Sequence, residues 1–355
     1  MDIKLKTSEM LLQKLAFGAA DARLSAIAEI RLFCKWDDAN RLCLLQAGAI
    51  PPLLKILDDD SVDSKMKEIA TAALINMSIN EQAKLALAYV PGAVDTVIRT
   101  IGDSQSKELK SVAAGLLYSL IINDELKTII CLKDSLWDSV IGLLKETSGK
   151  CKSEALKLLF VLAKDERWRN KLMQEDNELI SLLISLLTAG MPKLTEDCLT
   201  VISLLARSGA GTKAILDDKS SIPIFVYLLN SGSPRAQENA ASVLNNICQQ
   251  DGNVKEILPL QTLIPALNSL MRGGSDRGKF KAASLLRVLD SDTAPSLSTA
   301  SNLSDAEADL YPEMSSELRS AESVPVMPTY ADAESSSVLQ VPQSLNTVST
   351  PSSEP

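Results

Sequence analysis

Residues Ala47–Leu57, AGAIPPLLKIL, set Ile50, Leu54 and Leu57 at i, i+4 and i+7, which is one face of a short helix. The same triplet returns as Val94, Ile98 and Ile101, then as Trp137, Ile141 and Leu144, then as Ile180, Ile184 and Leu187. Ile222, Val226 and Leu229 follow, and then Leu263, Leu267 and Leu270, so the first members advance by a nearly constant step. A small-residue column runs in phase: Ala26, Ala70, Ala113, Ala155, Cys198, Ala240 and Ala282. Four positions beyond it lies a third column, Ile30, Leu74, Leu117, Leu159, Ile202, Leu244 and Leu286.

A period of about 42 residues, with helical spacing throughout, predicts an all-α solenoid. The lack of period-2 alternation argues against propeller blades. Each unit carries an apolar face that it cannot bury alone, so neighbours must stack into one continuous core. The small column marks where helices approach most closely, because a larger side chain there would overpack the contact.

One unit resolves into three helices. Glu81–Val90 forms the first, Pro91-Gly92 breaks it, Ala93–Ile101 forms the second, and Lys107–Ile122 forms a long third. Pro51, Pro52, Pro223 and Pro265 are expected in or near the first turn of second helices, where an N–H has no intrahelical acceptor.

The G-A-I-P-P-L-L second helix and the A-x-x-x-L-x-N-[ML] third helix resemble armadillo repeats. More narrowly, AEIRLFCKWDDANRLCLLQAGAIPPLLKIL (28–57) and KFKAASLLRVLD (279–290) resemble the armadillo region of plant U-box ubiquitin ligases. The resemblance covers about residues 8–290. It implies a right-handed superhelical array: an N-terminal helical cap at 1–36, about six armadillo repeats at 37–290, and a tail at 291–355. It also implies a protein–protein scaffold or adaptor in ubiquitin-dependent regulation. The alternative is the substrate-recognition part of a U-box ligase, with the U-box expected upstream and only about twenty residues preceding the array.

Composition changes at Asp290. The stretch 290–355 holds 16 Ser, 7 Pro and 5 Thr, with 11 acidic side chains against Arg319 alone. Positions 1–289 then hold 35 basic and 34 acidic side chains, so the tail carries essentially the whole net charge of −9. Such a segment buries too little apolar surface to offset its ordering entropy, and it is expected to be disordered. An array so near neutrality lacks the basic excess that nucleic-acid binding requires. No run reaches the roughly 20 apolar residues of a membrane-spanning helix, and no signal-peptide pattern opens the chain.

The chain has no histidine, which removes Ser-His, Cys-His and His-metal constellations together. Its six cysteines form no C-x-x-C pair, so they read as reduced core thiols that fit a cytoplasmic and/or nuclear setting. No phosphate-binding glycine motif occurs, and the acids at Asp58–Asp60 and Asp217-Asp218 read as solvated helix flanks. Neither an enzyme nor a cofactor is expected.

The resemblance places a concave groove along the third helices, where relatives hold extended peptides with Asn and Trp ladders. Here Asn76 and Asn246 match the Asn position, and Ser119 occupies the same column. The Trp position reads Ala28, Ala72, Gly115, Lys157, Thr200, Ser242 and Ser284, so the Trp ladder is missing and a reader of nuclear signals is disfavoured. Eleven positions before the Asn column stand Lys65, Glu108, Lys150, Lys193, Arg235 and Arg277. Two later come Lys67, Lys110, Lys152, Thr195, Gln237 and Lys279. Cations at helix starts oppose the macrodipole. They read either as solvated stems or as a basic rim for an acidic or phosphorylated protein segment, the chain's own acidic tail included.

Overall fold

The computed structural model describes residues 2–175, 178–252, 254 and 257–290. The chain divides into two units, Met1–Tyr311 and Pro312–Pro355, and the second lies wholly outside the described residues. The tail expected to be disordered, 291–355, lies outside them as well.

Every element among the described residues is a helix. Two open the chain, α1 (Asp2–Phe17) and α2 (Ala20–Phe33). Helices then recur in threes: α3 (Asp38–Gln46), α4 (Ile50–Asp58), α5 (Ser64–Met77); α6 (Glu81–Ala88), α7 (Ala93–Asp103), α8 (Lys107–Ile121). The next are α9 (Asp124–Ile130), α10 (Ser135–Lys145), α11 (Gly149–Lys164); α12 (Glu166–Glu175), α13 (Leu179–Leu187), α14 (Pro192–Leu205). Last come α15 (Gly209–Asp217), α16 (Ser221–Ser231), α17 (Pro234–Gln250), then α18 (Leu260–Gly273) and α19 (Asp276–Asp290).

The third helices stack in series, α2 on α5, α5 on α8, and so on through α11, α14 and α17 to α19. Each second helix packs on its own third helix, as α4 on α5 and α7 on α8. The columns read from sequence are the core of this stack: Ala26, Ala70, Ala113, Ala155, Cys198, Ala240 and Ala282 are all completely buried. So are Ile30, Leu74, Leu117, Leu159, Ile202 and Leu244, whereas Leu286, in the last repeat, is only half-buried.

Local chemistry sets the helix ends. Most third helices start at a side chain that accepts from a backbone N–H three positions on: Asp63, Ser106, Ser148, Ser233 and Ser275. First helices start in a similar way, two or three positions on, at Asp37, Asn80, Asn123, Asp165 and Ser208. Such caps satisfy N–H groups that the helix leaves without an acceptor. Gly48 and Gly92 both sit at φ +79° in the turn before a second helix, a conformation that disfavours any side chain.

One sequence expectation needs adjustment. Pro265 lies inside α18, because that helix starts at Leu260, well ahead of the first turn expected for it. At the other end of the array, the N-terminal segment is two helices separated at 18–19, with α1 packed on both α2 and α3.

Candidate protein-binding surface

The third helices carry every candidate binding residue, and the structure divides these residues into two groups. Asn76, Ser119 and Asn246 are turned into the stack. Asn76 donates its amide to Arg31 O of α2 (3.0 Å), and Asn246 donates to Ser203 O of α14 (2.8 Å). Ser119 shares a 2.7 Å hydrogen bond with Ser78. The column therefore stitches each of these third helices to the C-terminal end of the one before it. Each amide keeps a second N–H and its oxygen, so the bond fixes the side chain's orientation without using up its hydrogen-bonding capacity.

A wider polar seam joins α14, α17 and α19. Asn239 donates to Thr200 Oγ1 (2.9 Å) and to Glu196 O (3.2 Å), Ser203 pairs with Ser242 (2.9 Å), and Ser284 donates to Asn245 Oδ1 (3.1 Å). Thr200 and Ser242, in the column that the armadillo resemblance assigns to Trp, are thus buried bonding partners. Lys157 in the same column pairs with Glu154 at 2.9 Å.

The basic positions form the second group. Lys65, Lys150 and Lys193 are exposed, while Arg235 and Arg277 are half-buried. Acids accompany them: Lys65 lies 3.5 Å from Glu68, Lys193 3.6 Å from Asp197, and Arg277 3.7 Å from Glu238 of the preceding repeat. Lys110 reaches across a repeat boundary to Glu146 at 2.7 Å, with both side chains largely covered. That hydrogen bond holds the Glu146 carboxyl below its usual range, against a smaller upward push from desolvation. Neighbouring acids and capped N–H groups explain how cations are tolerated at these helix starts.

The cap hydroxyls also reach back across repeats. Ser106 donates to Glu68 (3.2 Å), Ser233 to Glu196 (2.5 Å) and Ser275 to Glu238 (3.0 Å). On first helices, Arg41, Arg169 and Thr212 donate to Cys34 O (2.9 Å), Ala163 O (3.0 Å) and Ala206 O (3.0 Å), capping the preceding third helix. Sequence reasoning missed both sets, although the cap hydroxyls recur at the repeat spacing and could have been found by it. It also passed over Leu32 and Trp36, which are 55 % and 76 % exposed at the end of α2, with Lys35 stacked 4.6 Å from the Trp36 ring. Trp is a common anchor at protein interfaces.

All six cysteines are buried and none is in a disulfide. Desolvation pushes Cys34 and Cys131 up to about 12 and raises Cys151 and Cys198 too, so these thiols stay protonated at neutral pH. Asp58 is engaged by Thr96 (2.7 Å) and by Arg99 of the next repeat. Among the described residues no His, Cys, Asp or Glu cluster is arranged to hold a metal ion, and no helix is long and apolar enough to cross a membrane.

Known proteins resemble this arrangement in both sequence and fold. U-box domain-containing protein 14 of Arabidopsis thaliana is 44 % identical over 71 residues, 20 % of this chain and 11 % of that protein. The E3 ubiquitin-protein ligase SPL11 of Oryza sativa subsp. japonica is 44 % identical over 73 residues, 21 % of this chain and 10 % of the relative. U-box domain-containing protein 18 of Arabidopsis thaliana is 27 % identical over 218 residues, 59 % of this chain and 30 % of the relative. The chain thus spans less than a third of the length of these curated relatives.

Among solved structures, an engineered protein superposes with a TM-score of 0.70 at 21 % identity, over 80 % of this chain and 68 % of its own. A computationally designed armadillo repeat protein for modular peptide recognition gives 0.60 at 20 % identity, over 67 % of this chain and 98 % of its own. The family model described as the plant U-box protein ARM repeat region matches residues 8–302, and the chain belongs to that family.

Proposed function

We propose that this chain is a protein-binding scaffold that selects a protein partner for ubiquitin-dependent regulation and performs no chemistry of its own. The observation that carries the proposal is the family match across residues 8–302 to an ARM repeat region alone, on a fold suited to protein binding. The designed armadillo neighbour was made for modular peptide recognition, which supports a peptide or protein segment as the ligand class. The buried, protonated thiols and the lack of histidine fit a scaffold better than a transferase.

Asn76 and Asn246 each donate one inter-repeat bond, and the exposed side chains at the third-helix starts supply the charge that this proposal rests on. Lys65, Lys150 and Lys193 are exposed at third-helix starts and favour an acidic or phosphorylated segment. Residence in the cytoplasm and/or nucleus belongs to the same proposal, supported by six reduced cysteines.

A second reading, the substrate-recognition part of a U-box ligase, is favoured by the fraction of the relatives that the chain spans. One experiment separates the two. The chain is incubated with ubiquitin, activating and conjugating enzymes, a plant U-box relative and a partner recovered from plant extract. The scaffold reading expects no ubiquitin chains without the relative, and competition with the relative for the partner. Ubiquitin chains formed by this protein alone overturn it, as does the lack of any partner shared with the relative. Lys65→Gln, Lys150→Gln and Lys193→Gln together are expected to weaken partner binding by about tenfold, or about 1.4 kcal/mol. Unchanged affinity removes the rim from the binding surface.

A further inference from the structure

The turn between α2 and α3 is one residue longer than its counterparts. Cys34, Ser78, Ile121, Ala163 and Ala206 occupy one buried column at the ends of third helices. The cap of the next first helix follows two positions later at Asn80, Asn123, Asp165 and Ser208, but three positions later at Asp37. The extra length holds Trp36, which is 76 % exposed, whereas Trp137 and Trp168 are buried. Packing of the stack therefore gives no reason for a Trp at this position.

Leu32, one turn earlier, is 55 % exposed, although Ser119, Val161, Leu204 and Asn246 of the same column are buried. The chain keeps winding past Phe33: Cys34 has right-handed helical backbone angles, and Lys35 N donates to Leu32 O (3.2 Å). Leu32 and Trp36, four positions apart, thus share one side of the helix end. Lys35 sets its ammonium 4.6 Å from the centre of the Trp36 ring. Trp is enriched among the side chains that dominate binding energy at protein interfaces.

Charge around this pair is uneven. Asp37 is held by Lys4, Asp38 lies 3.4 Å from Arg41, and Glu29 lies 2.6 Å from Lys14. Each of these acids already faces a cation. Arg31 and Lys35, four positions apart, have no acid partner among the described residues. The Leu32–Trp36 pair is therefore bordered by uncompensated positive charge. Such a border favours an apolar side chain flanked by carboxylates and disfavours one flanked by lysines.

We propose that Arg31, Leu32, Lys35 and Trp36 form an anchor site for a partner's protein segment in which a large apolar side chain stands beside Asp or Glu. The apolar side chain packs on Leu32 and the Trp36 indole, and the carboxylate meets Arg31 and Lys35. The site rests on the scaffold reading and gives its partner a recognisable chemistry. It lies at the C-terminal end of α2, whereas the basic rim lies at third-helix starts, about 21 Å away along a 14-residue helix. Variants of the two surfaces therefore act separately.

The full chain reports on this site through its own fluorescence, because Trp36 is the exposed one of three tryptophans. Random short peptides lacking Trp are displayed on phage and selected on the protein, and those enriched are synthesised. They are expected to place Leu, Ile, Met, Phe or Tyr beside Asp or Glu, and to shield Trp36 from quenching by acrylamide. Trp36→Ser is expected to weaken them about tenfold, as is Arg31→Glu with Lys35→Glu. The melting temperature of Trp36→Ser is expected to stay unchanged, because the native side chain is exposed. Enriched peptides that ignore Trp36→Ser, or a selection that enriches none, overturn the anchor. The competition experiment with the U-box relative then judges the scaffold reading by itself. Shielding by phosphatidylserine vesicles and not by peptides overturns the anchor in favour of a membrane surface. Shielding that grows with protein concentration alone, with a doubled mass in solution, overturns it in favour of a second copy of the chain.

Discussion

Asn246 shows how one amide holds two repeats. Its Nδ2 lies 2.8 Å from Ser203 O and 3.3 Å from Ser203 Oγ, inside a buried seam. Asn246→Ala deletes a buried donor and leaves its acceptor unsatisfied, at an expected cost of about 1–3 kcal/mol in a urea melt. Asn246→Ala without loss of stability assigns the seam's energy to its apolar neighbours. Glu146 gives the corresponding electrostatic case. Its pKa in the folded chain is lowered by Lys110, so the pair stabilises the fold above the unfolded value of 4.5 and loses that contribution as pH falls through the lowered one. Wild type is therefore expected to melt above Glu146→Gln at pH 7, and the gap is expected to close as the pH drops below about 4. A gap independent of pH rules out the carboxylate as its source. Both residues were visible as letters in the sequence. Their partners, Ser203 43 residues before Asn246 and Lys110 36 residues before Glu146, were not, because a side chain's rotamer is chosen by what the stack places beside it.

At the scale of the helix, the small-residue column limits how closely third helices approach. Ala155 is completely buried in α11, which packs on both α8 and α14. Ala155→Leu is expected to overpack that contact and to destabilise the array by about 1–3 kcal/mol in thermal or denaturant unfolding. An unchanged melting temperature contradicts the register. Periodicity located the helices of the second repeat closely at both ends, because apolar spacing and the Pro91-Gly92 break act locally. It fared less well at Pro265, since tertiary support lets α18 continue in front of a residue that usually marks a helix start. The cap columns were legible too. Ser106, Ser148, Ser233 and Ser275 recur at a fixed offset before the third helices, a signal weakened by the abundance of serine.

For the whole molecule, stability is close to a sum of repeats and the interfaces between neighbours. Interior repeats have two interfaces, whereas α18 and α19 have one among the described residues, which leaves Phe280 and Met271 in the open. The partner experiment with the lysine variants probes the long side of the array.

The sequence by itself determined the repeat, its period, its three-helix unit and its core columns, because helical periodicity and proline or glycine breaks are properties of neighbouring residues along the chain. It also determined the absence of histidine and the shift of net charge into 290–355. Only the tertiary structure decided that Asn76, Ser119 and Asn246 are inter-repeat staples, and that acids shadow the basic rim. Only it showed Met271 and Phe280 exposed. A polar side chain at the groove has the same sequence signature whether it meets a partner or the preceding helix. The choice between them rests on distances across a repeat boundary, which stacking alone sets.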